Sequence, residues 1–416
     1  MRLCHRWHYY VAQTSSEATL AEFPGKKIVK RRQFISSAMA SATLAAMPGL
    51  VSAKADPFNG EKLRTGHIGT GRQGRKHIRL AARLPGFEIR TLCDILPFQL
   101  DEARSLVGPG TQTVTDYRYI LDDPNIDAVI IATPFFFHSQ PMLDALDAGK
   151  HIYCEKTLAK GHDQIAQVGK AVANTDRIIQ VGYQHRYSDL LREVAALIES
   201  GEIGAISNVD CQWNRNGDWR RPVPSPEFER AVNWRMYREY SGGLTAELSS
   251  HQMDILEWML KTRPRQIMGT GGTDFWKDGR DIRDNTHLLV KYENEVTASY
   301  TCLTTNAYEG FRMTFFGTEG TVVTSLDEAW VSEKDTGESW PEGVDAVSGA
   351  TMALAGEPGY SIKVEEFNPT RNALAAFRES VISNSQPAAG VEEALVTARA
   401  VQLSLDAMDN GTVETF

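Results

Sequence analysis

At 416 residues, 42% hydrophobic and 23% charged, the chain is too long for one ordinary core and too ordinary in composition for a disordered or fibrous protein. Its formal net charge of −9 is more acidic still once the basic N-terminal segment is set aside, and such a surface repels phosphate backbones, so no nucleic-acid partner is expected. Cys4, Cys93, Cys154, Cys211 and Cys302 form no C-x-x-C pair, which speaks against a zinc knuckle or a disulfide scaffold and leaves isolated thiols.

The chain opens on a leader pattern. Lys30-Arg31-Arg32-Gln33-Phe34-Ile35-Ser36 is a twin-arginine sequence, 38–50 is a mildly apolar run of small residues, and Val51-Ser52-Ala53 has the small side chains of a cleavage site. Residues 1–55 are therefore expected to be a signal peptide and the start of the mature chain, which would cross to the periplasm already folded. The run is too short and too rich in Ala, Ser and Thr to remain in a bilayer, so no membrane span is expected.

The next elements alternate. A strand over 64–68 runs into Gly69-Thr70-Gly71-Arg72-Gln73-Gly74, a helix follows over 75–84, and a strand over 87–93 ends in Asp94. In a G-x-G-x-x-G loop the first glycine permits the tight turn, the second lets backbone approach a pyrophosphate, and the third lets helix and strand touch. The helix N-terminus offers free N–H groups to phosphate. Asp94 can accept hydrogen bonds from ribose hydroxyls and would repel a 2′-phosphate, which favours NAD over NADP, while Arg72 can reach a phosphate. Strands over 126–132, 151–154 and 178–182, with helices over 141–148 and 163–173 between them, extend this to a doubly wound parallel sheet, an NAD-binding Rossmann domain over 56–183.

Four features resemble the glucose–fructose oxidoreductase and inositol dehydrogenase family (Gfo/Idh/MocA) over nearly everything from Leu63 onward. They are Ile68-Gly69-Thr70-Gly71 leading to Cys93-Asp94; Ala132-Thr133-Pro134 with His138 four residues after the proline; Gly149-Lys150-His151-Ile152-Tyr153-Cys154-Glu155-Lys156; and a Gly242-Gly243-led helix with an acid and a histidine four apart. The resemblance implies a second, α+β domain over 184–416 with an open, mostly antiparallel sheet that often makes oligomer contacts, hence a homo-oligomer. Strand-like runs at 206–213, 266–270, 286–292, 296–303, 312–316 and 321–324 agree with it. Residues 327–360 read as an irregular excursion, followed by helices over 371–382 and 391–408.

The resemblance also implies roles. Lys156 would help move the proton of an alcohol that loses hydride, and Thr157 stands where the family has proline. His251 matches the histidine of the family's Asp-x-x-x-His and would be the acid/base, with Glu247 in the aspartate's place on the same helix face. Glu247 is then open to orienting His251, binding a sugar hydroxyl or marking altered chemistry. The expected nucleotide set is Gly69, Thr70, Gly71, Arg72, Gln73, Gly74, Asp94, Thr133, Pro134, His138, Glu155, Lys156 and Gln184. Tyr183, Arg186, Tyr187, Trp234, Arg235 and Asp254 are expected to face a carbohydrate, with Trp213, Asn214, Trp219 and Asn233 adding aromatic and polar groups nearby. No metal is expected. Three functions fit: an NAD-dependent sugar or polyol oxidoreductase, a glycoside hydrolase or lyase that oxidises transiently, and a non-catalytic NAD- or sugar-binding protein.

Overall fold

The computed structural model describes residues 62–217, 219–333, 359–364 and 368–416; the twin-arginine segment and the rest of the expected leader lie outside them. In chain order come β1 (Leu63–Ile68), α1 (Arg72–Ala81), β2 (Phe87–Cys93), α2 (Pro97–Arg104), β3 (Gln112–Val114), α3 (Arg118–Leu121), β4 (Ala128–Ile131), α4 (Ser139–Asp147), β5 (His151–Cys154), α5 (Gly161–Val172) and β6 (Ile179–Val181). All the strands pair in parallel, in the order β3-β2-β1-β4-β5-β6. Every residue of β4 is buried, as covering both faces with crossover helices demands. The strand order reverses between β1 and β4, and that reversal opens a crevice at the strands' carboxyl ends. Helix α1 starts at Arg72, earlier than the expected 75, because Gly71 is its N-cap and the Arg75 N–H already closes a turn on the Gly71 carbonyl at 2.8 Å.

The second half comprises α6 (Asp189–Ser200), β7 (Ile206–Asn216), α7 (Glu229–Val232), a π-helical turn (Thr245–Ser249) running into α8 (Ser250–Leu260), and β8 (Pro264–Gly272), β9 (Asn285–Tyr292), β10 (Thr297–Leu303), β11 (Thr305–Gly317), β12 (Gly320–Thr324) and β13 (Glu328–Glu333). After them come β14 (Gly359–Lys363), α9 (Pro369–Ser383), α10 (Val391–Asn410) and β15 (Glu414–Thr415). Nine strands form one sheet in the order β14-β13-β12-β11-β7-β10-β9-β8-β15, with β7 and β10 parallel and the other neighbours antiparallel. Burial alternates along β10, and its inner face joins Val194 of α6 and Met253 and Leu256 of α8 in one core.

Two expectations change. Part of the stretch read as irregular is strand: 329–333 pair with β12, and Ala329 and Val331 of β13 are buried in the core. The closing helices also do more than complete the second domain. Ala373, Leu374 and Phe377 of α9 and Ala394 and Ala398 of α10 pack into the core of the parallel sheet, while Ala400 and Val401 of α10 belong to the other core. The Val181 N–H reaches the Ala389 carbonyl at 2.9 Å, so backbone from the C-terminal segment bonds the β6 edge of the nucleotide sheet. Among the described residues no helix is long and apolar enough to cross a membrane.

Candidate active site

The glycine loop leaves β1 with Gly69 at φ +90°, a left-handed conformation, and a Cβ there would lie 2.7 Å from the Ala132 backbone. At Gly74 a Cβ would fall 2.0 Å from the Gly69 carbonyl oxygen, so the third glycine is set by helix-on-strand contact. At Gly71 a Cβ would meet nothing within 4 Å. The loop therefore opens onto free space in front of the α1 N-terminus, which no side chain caps. That is the shape a pyrophosphate needs. Asp94, at the carboxyl end of β2, is oriented by the Thr70 N–H (2.7 Å), the Thr70 hydroxyl (3.0 Å) and the Leu96 N–H (2.9 Å). It is half-exposed at the place where a ribose would lie. These residues fit NAD.

Beneath the loop sits a buried carboxylate. Glu155 Oε1 accepts hydrogen bonds from Gln73 at 2.8 Å and His77 at 2.6 Å. Burial alone would raise its pKa, but His77, Gln73 and the Lys156 charge hold it down at about 2. Glu155 thus ties the glycine loop and α1 to the end of β5, one residue before Lys156. His138 acts similarly: its ring nitrogens lie 2.9 Å from the carbonyl oxygens of Thr133 and Thr157, and it is 2% exposed. Expected at the nucleotide, it instead staples the loop after β4 to the turn after β5. Thr133 and Pro134 line that half-exposed loop, and the Thr133 hydroxyl caps the Phe137 carbonyl.

Lys156 points across to the second half of the chain. Its Nζ donates to the carbonyls of Ala246 and Glu247, each at 3.1 Å, and lies 3.7 Å from Glu247 Oε2. The same oxygen accepts from Arg235 Nε at 2.9 Å, and the Arg235 guanidinium lies over the Trp234 ring at 4.1 Å. Burial lowers the pKa of Lys156, opposed by the Glu247 charge. Burial would raise that of Glu247, but Arg235 and Lys156 override it and hold the carboxylate ionised. The π-helical turn, a feature common at functional sites, starts the helix that carries both Glu247 and His251.

His251 is 5% exposed, with Tyr183, His185 and Trp213 packed round it at ring separations of 5.8, 4.9 and 5.7 Å. Its Nδ1 has no hydrogen-bond partner. Burial, then the neighbouring His185 and the charges of Lys156 and Lys76, keep its pKa well below the usual value, so the ring is neutral. His185 was given no role from the sequence, yet neither of its ring nitrogens has a partner, and burial pushes its pKa down to about 4. Only its place at the end of β6 hinted at this.

Some expected substrate residues are occupied elsewhere. Arg186 makes a buried pair with Asp254, Nε to Oδ1 at 2.9 Å and to Oδ2 at 3.0 Å, and donates to the Ala388 carbonyl. The Tyr187 hydroxyl accepts from the Ala389 N–H at 3.2 Å, and its ring is in the first core. These three fasten α8 and the C-terminal segment to the junction rather than face a ligand. Tyr183 backs the His251 ring from the core. Asn233 bonds the backbone of Arg221 on both sides, and Asn214 bonds the Tyr308 carbonyl. Gln184 stays half-exposed at the junction, and Trp213, Trp219 and Trp234 are half-buried. Among the described residues no cluster of three His, Cys, Asp or Glu side chains is placed to hold a metal.

Two family models match this chain. The GFO/IDH/MocA oxidoreductase family model, described as an NAD-binding Rossmann fold, matches residues 63–183, and the GFO/IDH/MocA C-terminal domain matches 191–323; together they span more than half of the chain. The uncharacterized oxidoreductase YrbE of Bacillus subtilis is 27% identical over 356 residues, 83% of this chain and 95% of that one. The levoglucosan dehydrogenase of Pseudarthrobacter phenanthrenivorans is 26% identical over 295 residues, 63% of this chain and 73% of that one. A solved levoglucosan dehydrogenase in complex with NADH and levoglucosan shares the fold, with a TM-score of 0.71 at 18% identity over 85% of this chain and 99% of that one.

Proposed function

This chain belongs to the GFO/IDH/MocA oxidoreductases and binds NAD through its Rossmann sheet, and from that premise we propose that it moves a hydride between NAD and a hydroxyl-bearing carbon of a sugar or polyol. One observation carries the reading: Lys156, from the carboxyl end of β5, meets Glu247, one turn before His251, across the junction of the two halves. Bound NAD supplies the hydride acceptor. Neutral His251 takes the hydroxyl proton as the C–H hydride leaves and the carbonyl forms. The Lys156 ammonium stabilises the charge that develops on the same oxygen. Glu247, held ionised between Arg235 and Lys156, orients the lysine rather than carrying a proton. The relatives support a carbohydrate substrate by their names, an inositol and a levoglucosan dehydrogenase.

The test is to mix the protein with NAD and a panel of sugars and polyols and follow NADH absorbance. Net NADH formation with the ketone as product supports the reading. Cleavage of a glycoside without net NADH would replace it with the redox-neutral chemistry. We further propose export in the folded state through the twin-arginine segment, checked by fractionating cells that carry Arg31→Lys with Arg32→Lys. The open face of the nine-stranded sheet, with exposed Met268, Leu289 and Phe316, is proposed as the contact with a second copy of the chain, checked by sedimentation of Leu289→Asp.

A further inference from the structure

The chain is acidic overall, yet guanidinium groups collect at the mouth of the crevice. Arg72 begins α1 in the glycine loop, Arg215 is the last residue but one of β7, Arg221 follows in the next loop and Arg235 lies beyond α7. Asn233 bonds the Arg221 backbone through both its N–H and its carbonyl, which sets Arg221 against the segment that carries Arg235. After burial, the groups that lower the pKa of Arg221 are Arg72, Arg235 and Arg75, and Arg72, Arg235 and Arg221 do the same to Arg215. Among the described residues, no hydrogen bond or ion pair engages the side chains of Arg72, Arg215 or Arg221. Arg235 spends its charge on Glu247, the acid that acts on Arg215. Like charges placed together without partners destabilise a fold, and such a cluster is stable when an anion neutralises it.

NAD does not account for all of this charge. Its pyrophosphate brings two negative charges and its oxidised ring one positive charge. The uncapped α1 N-terminus, where Arg72 begins the helix, is the part of the crevice shaped for that pyrophosphate. Arg215 is on the other wall: it shares the β7 face with Trp213, two residues earlier, and Trp213 packs against His251 at 5.7 Å. Its guanidinium lies over Trp219 at 4.5 Å, which fixes the side chain without neutralising it. The unpaired positive charge therefore stands on the strand wall that also carries Trp213, the ring packed against the acid/base histidine.

We propose that the substrate is an anionic sugar, a carbohydrate bearing a carboxylate or a phosphate ester, whose acid group is held by Arg215 and Arg221 while its reacting hydroxyl lies between Lys156 and His251. This rests on the hydride-transfer reading above and adds the substrate class to it. A planar guanidinium binds either acid through paired N–H donors, so Arg215→Lys retains only part of the effect.

The test is calorimetric and needs no turnover. NADH-loaded protein is titrated with glucuronate, glucose 6-phosphate and glucose at low and high salt. The expected result is that one of the two acids binds at least about 10-fold more tightly than glucose, by an amount that shrinks with salt. Arg215→Met is expected to bring that ratio below about 3-fold, with partial recovery in Arg215→Lys. Arg221→Gln, at an exposed position that the fold does not need, is expected to reduce the ratio in the same direction. The winning acid tells carboxylate from phosphate. Glucose binding as tightly as both acids would overturn the proposal while leaving sugar oxidation intact. So would an Arg215→Met protein that loses NADH affinity yet keeps the acid-to-neutral ratio, since that result assigns the guanidinium to the nucleotide. Failure to bind NADH at all would instead strike the hydride-transfer reading, and the acid-to-neutral ratio would still be read on the nucleotide-free protein.

Discussion

Lys156 Nζ and Glu247 Oε2 stand 3.7 Å apart, a partly covered ion pair that spans the two halves of the chain. Glu247 is the main group that raises the lysine pKa against burial. Its replacement in Glu247→Gln should therefore let the Lys156 pKa fall further. If the ammonium is the active form, kcat/KM declines as pH rises through that pKa, so the declining limb of the Glu247→Gln profile should move to lower pH. A pH–rate profile of both proteins checks this. An unmoved limb would mean that the limb does not report Lys156.

His251 should show the opposite kind of pH behaviour. Its neutral form is the base, and its pKa is held well below the usual 6.5, so protonation of this ring should not slow the enzyme near neutral pH. His251→Gln should lower kcat by about 10²- to 10⁴-fold, the usual range for a lost acid/base group, with little change in KM. Steady-state kinetics on the purified variant give both numbers. A loss confined to KM would make His251 a binding residue.

The glycines separate packing from binding. Gly74→Ala puts a methyl group 2.0 Å from the Gly69 carbonyl oxygen and should destabilise the protein, visible as a lower Tm. Gly71→Ala has open space and ordinary backbone geometry, φ −58°, so its Tm should hold while NADH affinity falls by about 10-fold or more through collision with the pyrophosphate. Melting curves with and without NADH distinguish the two.

Glu257 predicts a pH dependence of stability. It is 8% exposed, its Oε1 has no hydrogen-bond partner, and Thr397 donates to its Oε2 at 2.7 Å. Burial, with Asp254 nearby, pushes its pKa up from 4.5 to about 8 against the opposing Arg186 and Arg263. The folded state thus keeps a proton that the unfolded chain gives up near pH 4.5. Its contribution to stability is full below that pH, falls as pH rises and is gone above pH 8, a swing on the order of 5 kcal/mol. Denaturant titrations at several pH values should show this decline in the wild type and a flatter curve in Glu257→Gln.

What could be read from the sequence was local. The glycine loop, Asp94 and the Glu155-Lys156 pair each lie within a few residues of the strand end that positions them, so spacing alone placed them. Arg186, Tyr187 and Asp254 misled because their partners come from distant segments: Arg186 pairs with Asp254 and the Ala388 carbonyl, and Tyr187 with the Ala389 N–H. A charged or phenolic side chain looks the same in sequence whether it faces a ligand or a buried partner. The Glu155–His77 bond, the T-shaped His185–His251 contact and the arginine cluster were hidden for the same reason. The α9 and α10 segments read correctly as helices, but nothing in their periodicity says which of two sheets they cover. Strand β13 was missed because six residues with Glu at both ends look like a loop until β12 supplies a partner.

The most direct measurement is a single-turnover reaction of NAD-loaded protein with its best sugar, followed by NADH absorbance, in the wild type and in Lys156→Met. The account predicts NADH formation in the wild type and a rate lowered by about 10²-fold or more in the variant, which should still bind NADH. Equal rates in the two proteins, or no NADH from the wild type with any sugar in the panel, would contradict it.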